Sequence, residues 1–375
     1  MKARPSDGFS SPLWRDPVLA ASAVYEMRRL AAEAASRTGG QVNFMEVCGT
    51  HTMAIAASGM RRLFPKELRM LSGPGCPVCV TSQGDIDRVL ALASVPGAII
   101  TTFGDMLKVK GSAGLDLHAM RERGSDVRVV YSPLDAVALA EAEPSRQVVF
   151  IGVGFETTAP VIAGAVKRAK NAGLKNFSST AFFKLVPPAL ELLLSDPENR
   201  IHGFMLPGHV SAIIGLEPYR FVAEKYRVPC AVTGFEPLDI LSGINMLLRQ
   251  AVSGRPAVED EYFRAVRPEG NPAARKLMDE VFTVVPASWR AIGTVEGTGL
   301  GFSRAYEHFD AVKRFKIPYS EAREPGGCLC GKILLGKALP PDCPLFGKAC
   351  TPSSAVGPCM VSSEGACAAW FKYGG

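Results

Sequence analysis

VVFIGVGFETTAPVIAGAVKRAKNAG, residues 148–173, reads as one complete strand–loop–helix unit. Residues 148–153 are an almost unbroken apolar run, as expected of a parallel strand buried on both faces. Gly154-Phe155-Glu156-Thr157-Thr158 then breaks the run. From Ala159 the apolar residues return at helical spacing until Ala172, and Gly173 stands where a left-handed helix-ending residue belongs. The same unit recurs on either side. Further strands are expected at 42–47, 68–71, 98–103, 127–131, 179–183, 203–206 and 231–233. Ser132-Pro133-Leu134-Asp135 carries a capping serine, proline at the first helical position and an acid at the third. Such alternation predicts an α/β protein with parallel sheets and right-handed crossovers. AEAEPSRQ, residues 140–147, reads as a linker, so two parallel-sheet α/β domains flanking a cleft are expected, 41–140 and 147–253. After Gly254 the alternation stops, apart from a helical stretch around 303–315. Residues 254–375, with an amphipathic helix over 12–37 in segment 1–40, are expected to make a third, mostly helical or irregular domain.

Apolar residues make up 47% and charged residues 21% of the 375. These are ordinary globular values and argue against disorder or a coiled coil. The 42 basic and 36 acidic residues are interspersed, and no basic block interleaved with aromatics occurs. No nucleic acid is therefore expected as a partner. MKARPSDGFSSPLWRDP lacks the apolar core of a leader, and no apolar run reaches roughly 18 residues. The expectation is a cytoplasmic protein with no membrane contact.

The ten cysteines are unevenly placed: Cys48, Cys76, Cys79 and Cys230, then Cys328, Cys330, Cys343, Cys350, Cys359 and Cys367. In a chain without a leader this density points to metal or redox chemistry rather than a secreted disulfide framework. Three of the first four sit in loops after strands, where parallel sheets bind ligands. Cys48-Gly49-Thr50-His51-Thr52 follows the first strand and Gly73-Pro74-Gly75-Cys76-Pro77-Val78-Cys79 the second. Gly154–Thr158, Pro207-Gly208-His209 and Thr233-Gly234-Phe235-Glu236-Pro237 follow the fifth, seventh and eighth. Five such loops argue for one shared site, although each alone reads equally well as a βα turn.

Cys48 with His51 is half a zinc site at most. At a helix start the thiolate should have a lowered pKa and act as a nucleophile or soft-metal ligand; a buried structural cysteine is the plain alternative. Cys76 and Cys79, a C-x-x-C opening a helix, suit reversible disulfide chemistry, with half a zinc site as the other reading. The two G-F-E triplets suggest duplicated halves with Glu156 and Glu236 at equivalent positions, or coincidence. No nucleotide-binding glycine fingerprint and no phosphate-binding loop occurs. Six tail cysteines exceed the four that an iron–sulfur cluster or a zinc ion needs, so either centre would leave two over. Cys230, between Pro229 and Ala231, reads as an inert core cysteine.

Taken together, E-V-C-G-T-H-T (46–52), G-P-G-C-P-V-C-V (73–80), G-F-E-T-T-A-P (154–160), P-G-H-V-S-A-I (207–213), T-G-F-E-P-L-D (233–239) and C-M-V-S-S-E-G-A-C-A-A from 359 resemble the NiFe-hydrogenase maturation factor HypD family. The resemblance runs from about residue 20 to the end. It implies a scaffold on which an Fe(CN)2CO centre is assembled. It also implies a small HypC-like partner sharing the iron and a HypE-like cyanide donor, with a HypF-like protein upstream. The C-terminal domain would hold a 4Fe-4S cluster on Cys328, Cys343, Cys350 and Cys367, with Cys330 and Cys359 as a spare dithiol. On this reading Cys48 is the iron ligand. His51, Thr50 and Thr52 are groups around it, and Glu156, His209 and Glu236 are further candidates at the same edge. Electrons would pass from the cluster through Cys330/Cys359 to Cys76/Cys79. Two other readings stand beside it: an iron–sulfur protein-disulfide reductase, and a hydrolase or transferase using the G-F-E carboxylates.

Overall fold

The computed structural model of the chain describes residues 16–319, 322 and 324–374. All eight expected strands are present, but two of them are split. The first sheet joins β1 (Val42–Glu46) and β2 (Leu68–Ser72) to β9 (Gly203–Pro207), β10 (Cys230–Thr233) and β11 (Val258–Asp260). Its order is β11-β10-β9-β1-β2, and every pair is parallel. The second sheet, also all parallel, is β4-β3-β5-β7: β3 is Ala98–Thr102, β4 Asp126–Val129, β5 Gln147–Phe150 and β7 Phe177–Ser179.

The expected boundary at 140–147 therefore falls inside the second sheet rather than between the two. The chain starts the first sheet, leaves it to build the second, then returns to complete the first. Hydrophobic runs identify strands but carry no label for their partners, so the return was not legible.

The 148–153 and 179–183 runs each break in two. β6 (Val153–Gly154) and β8 (Phe182–Lys184) leave the second sheet and join a mixed sheet, β12-β13-β8-β6. Gly152 makes the break possible, because a Cβ there would lie 2.3 Å from the Thr180 carbonyl. The other half of this sheet is an antiparallel hairpin, β12 (Phe282–Trp289) and β13 (Gly293–Phe302). The region after Gly254 is thus not simply helical or irregular.

Residues 12–15 of the expected N-terminal helix lie outside the described residues. The helix runs Pro17–Thr38, with the Asp16 carboxylate accepting from Val18 and Leu19 N–H and Gly39 closing it in a left-handed conformation. It packs on the Pro237–Ser253 helix at the flank of the first sheet, through an Arg249–Glu26 ion pair and an Asn245–Ala23 hydrogen bond. It was expected beside the cysteine-rich tail. The 303–315 stretch contains only short turns, Glu307–Phe309 and Ala311–Arg314. Among the described residues no helix is long and apolar enough to cross a membrane.

Candidate functional site

Four of the five expected loops lie at the carboxyl edge of the first sheet, after β1, β2, β9 and β10, which are four consecutive neighbours in that sheet. The fifth follows β6 in the mixed sheet, so the two G-F-E triplets do not occupy equivalent positions.

Cys48 follows β1 directly and caps the Gly49–Ala57 helix with its backbone in extended conformation. The β2 loop crosses immediately beneath it. Gly49 N–H donates to the Gly75 carbonyl at 3.1 Å, and a Cβ on Gly75 would stand 2.2 Å from the Cys48 nitrogen. Only glycine permits that crossing. The Cys48 thiol is free but buried. Burial pushes its pKa up to about 12, helped by the Glu364 and Glu46 carboxylates and opposed by the N–H groups of His51 and Thr50. The expected lowering does not occur, because desolvation of the thiolate outweighs the helix-terminus donors. Cys48 is therefore a thiol at neutral pH.

A dense set of hydrogen bonds holds the loop. Glu46, fully buried at the end of β1, accepts from Cys48 N–H at 3.2 Å and from the Thr52 hydroxyl at 2.5 Å. Its own pKa is pushed up to about 7, again by burial. The Thr50 hydroxyl donates to Glu364 at 2.9 Å, tying the loop to the C-terminal segment. Both threonines therefore orient the loop.

His51 is buried, and burial drags its pKa down to about 4, so its imidazole is neutral at pH 7. Nε2 lies 2.9 Å from both the Gly234 carbonyl and the Thr233 hydroxyl. A carbonyl only accepts, which puts the proton on Nε2 and leaves Nδ1 as the lone-pair nitrogen. Nδ1 is buried and has no partner among the described residues. His51 cannot donate to a cyanide nitrogen in this state, but it can accept a proton or coordinate. Phe235 holds the ring from one face at 4.7 Å, and His209 stacks on the other face of that phenyl at 4.1 Å. Glu236 serves as a helix cap, for Pro237–Ser253. Glu156 is buried, accepts from Val186 N–H at 2.9 Å and is pushed up to about 7. The buried Tyr219, near Glu156 and Cys48, is hydrogen-bonded to Ser211.

Cys76 and Cys79 form a disulfide at the start of the short Pro77–Val80 helix. The Cys79 sulfur lies 4.0 Å from the Pro358 carbonyl, one residue before Cys359. Cys359 in turn donates its S–H to Cys330, which favours the thiolate on Cys330. Arg290, at the tip of the β12–β13 hairpin, sits against both segments. Its N–H donates to the Val80 carbonyl and its Nε to the Thr81 carbonyl, and its charge also favours a Cys330 thiolate.

All six tail cysteines line one small cavity, closed by Phe346, Gly357 and Met360. Gly357 is pressed so closely on Cys328 that a Cβ would lie 2.6 Å from the sulfur. Val356 N–H donates to the Cys350 sulfur at 3.4 Å. Burial and the neighbouring sulfurs push Cys328 up to about 12 and raise Cys367 as well. Among the described residues no three potential ligands converge at metal-binding distance. The donor chemistry nonetheless fits an iron–sulfur cluster: soft sulfurs around one cavity, a glycine clearing one of them and a backbone N–H aimed at another. Cys230 is fully buried at the start of β10 and pushed strongly up by burial, and takes no part in the site.

A family model described as "HypD: Hydrogenase formation hypA family" matches residues 22–374. The chain belongs to the HypD family of hydrogenase maturation factors. It is similar to "Hydrogenase maturation factor HypD" of Rhodobacter capsulatus, 43% identical over 96% of this chain and 97% of that one. The protein of the same description in Cupriavidus necator is 44% identical over 92% of this chain and 94% of its own. That of Escherichia coli is 42% identical over 96% of each. Motif reading alone passed over several residues of this HypD site. Glu46 and Glu364 both stand inside the stretches that carry the resemblance, but nothing in those stretches marks a carboxylate as a support for the Cys48 loop, which only their contacts with Thr52 and Thr50 show. Phe235 was read only as part of a triplet. Tyr219 and Arg290 have no local signal, because long-range packing alone brings them in.

Proposed function

We propose that this HypD protein is the scaffold on which the Fe(CN)2CO moiety of NiFe hydrogenase is assembled. Iron enters as substrate and is bound through the Cys48 thiolate together with a small HypC-like partner; a HypE-like protein delivers cyanide. The observation that carries this reading is the stacking of three sulfur stations. Cys48 lies over the β2 loop, that loop opens the Cys76–Cys79 helix, and Cys79 abuts the Cys359 segment at the cluster cavity.

Each group has a task in this scheme. Cys48 gives up its proton as iron binds, which a thiol with a pKa near 12 does only for a metal. His51, with Nδ1 open, offers a neutral acceptor beside the loop. Glu46 and Glu364 hold the loop in shape through Thr52 and Thr50. Cys328, Cys343, Cys350 and Cys367 would hold a 4Fe-4S cluster, whose chemistry is one-electron transfer. Cys330 and Cys359 exchange with the Cys76–Cys79 disulfide: two thiols are oxidised to one disulfide while the other disulfide becomes two thiols. Burial of that disulfide argues against the protein-disulfide reductase reading, since a protein substrate has no direct access to it.

The test is infrared spectroscopy with iron analysis on the anaerobically purified complex of this chain and its small partner. Cyanide and CO stretches are expected in the wild type and absent in Cys48→Ala, with cluster absorption unchanged. Their absence from the intact wild-type complex would overturn the reading.

A further inference from the structure

Lys184 ends β8 with its side chain 2% exposed. An ammonium so deeply buried is normally held in a tight, well-satisfied ion pair. Here its one ion-pair partner among the described residues is Asp85, at 3.5 Å. The other oxygen of Asp85 faces Arg88, also at 3.5 Å. Both gaps exceed the ~2.7–3.2 Å of a well-made N–H···O bond. One carboxylate is thus divided between two cations and satisfies neither.

The surplus of donors is larger still. Arg88 Nε is buried without a hydrogen-bond partner among the described residues. Its guanidinium is fixed 4.6 Å over the Tyr319 ring, so it cannot swing away to solvent without losing that contact. These groups line a cavity of about 370 Å³ between β8, the β12–β13 hairpin and the Ala311–Arg314 helix. Two further charged groups face it, and the Asp310 carboxylate acts on Arg88 through charge without a hydrogen bond to it. Asp310 caps that helix by accepting from Val312 and Lys313 N–H, and the Lys313 ammonium pairs with Glu307. Val285, Pro286 and Leu300 supply apolar walls that leave room for a small ligand rather than a polyanion.

We propose that this cavity binds a small oxyanion, carboxylate or phosphate, held between Lys184 Nζ and Arg88 Nε. Such a ligand brings the acceptor oxygens that Lys184 Nζ and Arg88 Nε lack at hydrogen-bond distance. The site shares no residue with the cysteine network and stands or falls independently of the assembly reading.

Isothermal titration calorimetry on the anaerobic, cluster-loaded full-length protein tests it. Inorganic phosphate and acetate are titrated separately, with sodium chloride at matched ionic strength as control. A saturable one-to-one heat above the chloride control is expected for at least one anion, and which one responds identifies the oxyanion class. Lys184→Met and Arg88→Gln are each expected to weaken it tenfold or more. Lys184→Met replaces a buried ammonium by an apolar chain of similar length, and Asp85 keeps Arg88 as partner. Arg88→Gln alters a partly exposed group and serves if Lys184→Met does not fold. No saturable heat with either anion, or unchanged affinity in a folded variant, overturns the proposal.

Discussion

Cys48 and Glu46 are both buried, and burial moves their titrations in ways that experiment can read. Because Cys48 is a thiol until metal arrives, each iron bound through it displaces one proton. Ferrous-iron affinity of the anaerobic complex is therefore expected to rise about tenfold per pH unit between pH 6 and 8. Cys48→Ala should remove that binding; a pH-independent affinity in the wild type would exclude Cys48 as the ligand. Glu46 works the other way on stability. Its pKa is raised from 4.5 to about 7 in the folded protein. The native state thus holds a proton that the unfolded chain releases between those values. Its contribution is fullest below pH 4.5 and is lost as pH rises through 7. Glu46→Gln cannot ionise, yet it exchanges an acceptor oxygen for an amide beside Cys48 N–H or the Thr52 hydroxyl. The variant should be destabilised at pH 5 and less so at pH 8, the difference amounting to roughly 2.5 kcal/mol. Thermal unfolding at the two pH values checks it, since His51 and Glu156 titrate alike in both proteins and cancel.

At the scale of elements, the loop crossing at Gly75 sets the geometry of the whole site. A Cβ there meets the backbone of Val47 and Cys48, which cannot rotate away as a side chain would. Gly75→Ala is expected to push the Cys48 loop off the β2 loop and abolish iron binding, while cluster absorption persists, since none of the six tail cysteines lies in the crossing. Gly164 is the matched control. It lies inside the Ala159–Asn171 helix, with only Leu277 nearby at 3.7 Å. Gly164→Ala should stabilise the protein by roughly 0.5–1 kcal/mol without touching iron binding. Elements also show what local sequence reveals. The eight parallel strands, the Ser132 cap and the helix ending at Gly173 were legible because burial on both faces and capping leave local signatures. The β12–β13 hairpin was not. Pro286 and the glycines at 293, 297, 299 and 301 read as connections, while Ala287 and Gly299 pack so closely that no larger residue fits at 299. The Cys48 and Cys76–Cys79 loops were legible as chemistry, but their supports, Glu46, Glu364 and Arg290, depend on contacts far apart in the chain.

Across the whole molecule, interleaved topology brings the tail to the site. Because the chain returns to the first sheet and then adds the mixed sheet, the hairpin tip carrying Arg290 wedges between the Cys76–Cys79 helix and Cys330. The Ala366–Tyr373 helix, which carries Cys367 in its first turn, lies on the Gly49–Ala57 helix that Cys48 caps. The six-cysteine cavity and the Cys48 loop are therefore joined by two routes, one through sulfurs and one through packed helices. Only the sulfur route moves electron pairs, and the two separate cleanly. In anaerobic protein given dithionite, the Cys76–Cys79 disulfide should open by exchange with the Cys330/Cys359 dithiol, and the Cys330–Cys359 disulfide so formed should be returned to two thiols by two electrons from the reduced cluster, so that both pairs end as thiols, read by differential alkylation and mass spectrometry. Cys330→Ser or Cys359→Ser should leave Cys76–Cys79 oxidised under the same treatment with the cluster still reduced, because a lone thiol forms at most a mixed disulfide and cannot resolve it. Reduction of Cys76–Cys79 at the wild-type rate in either variant would show that electrons reach it without the dithiol. The relay would then be wrong, although the scaffold role of Cys48 would remain intact.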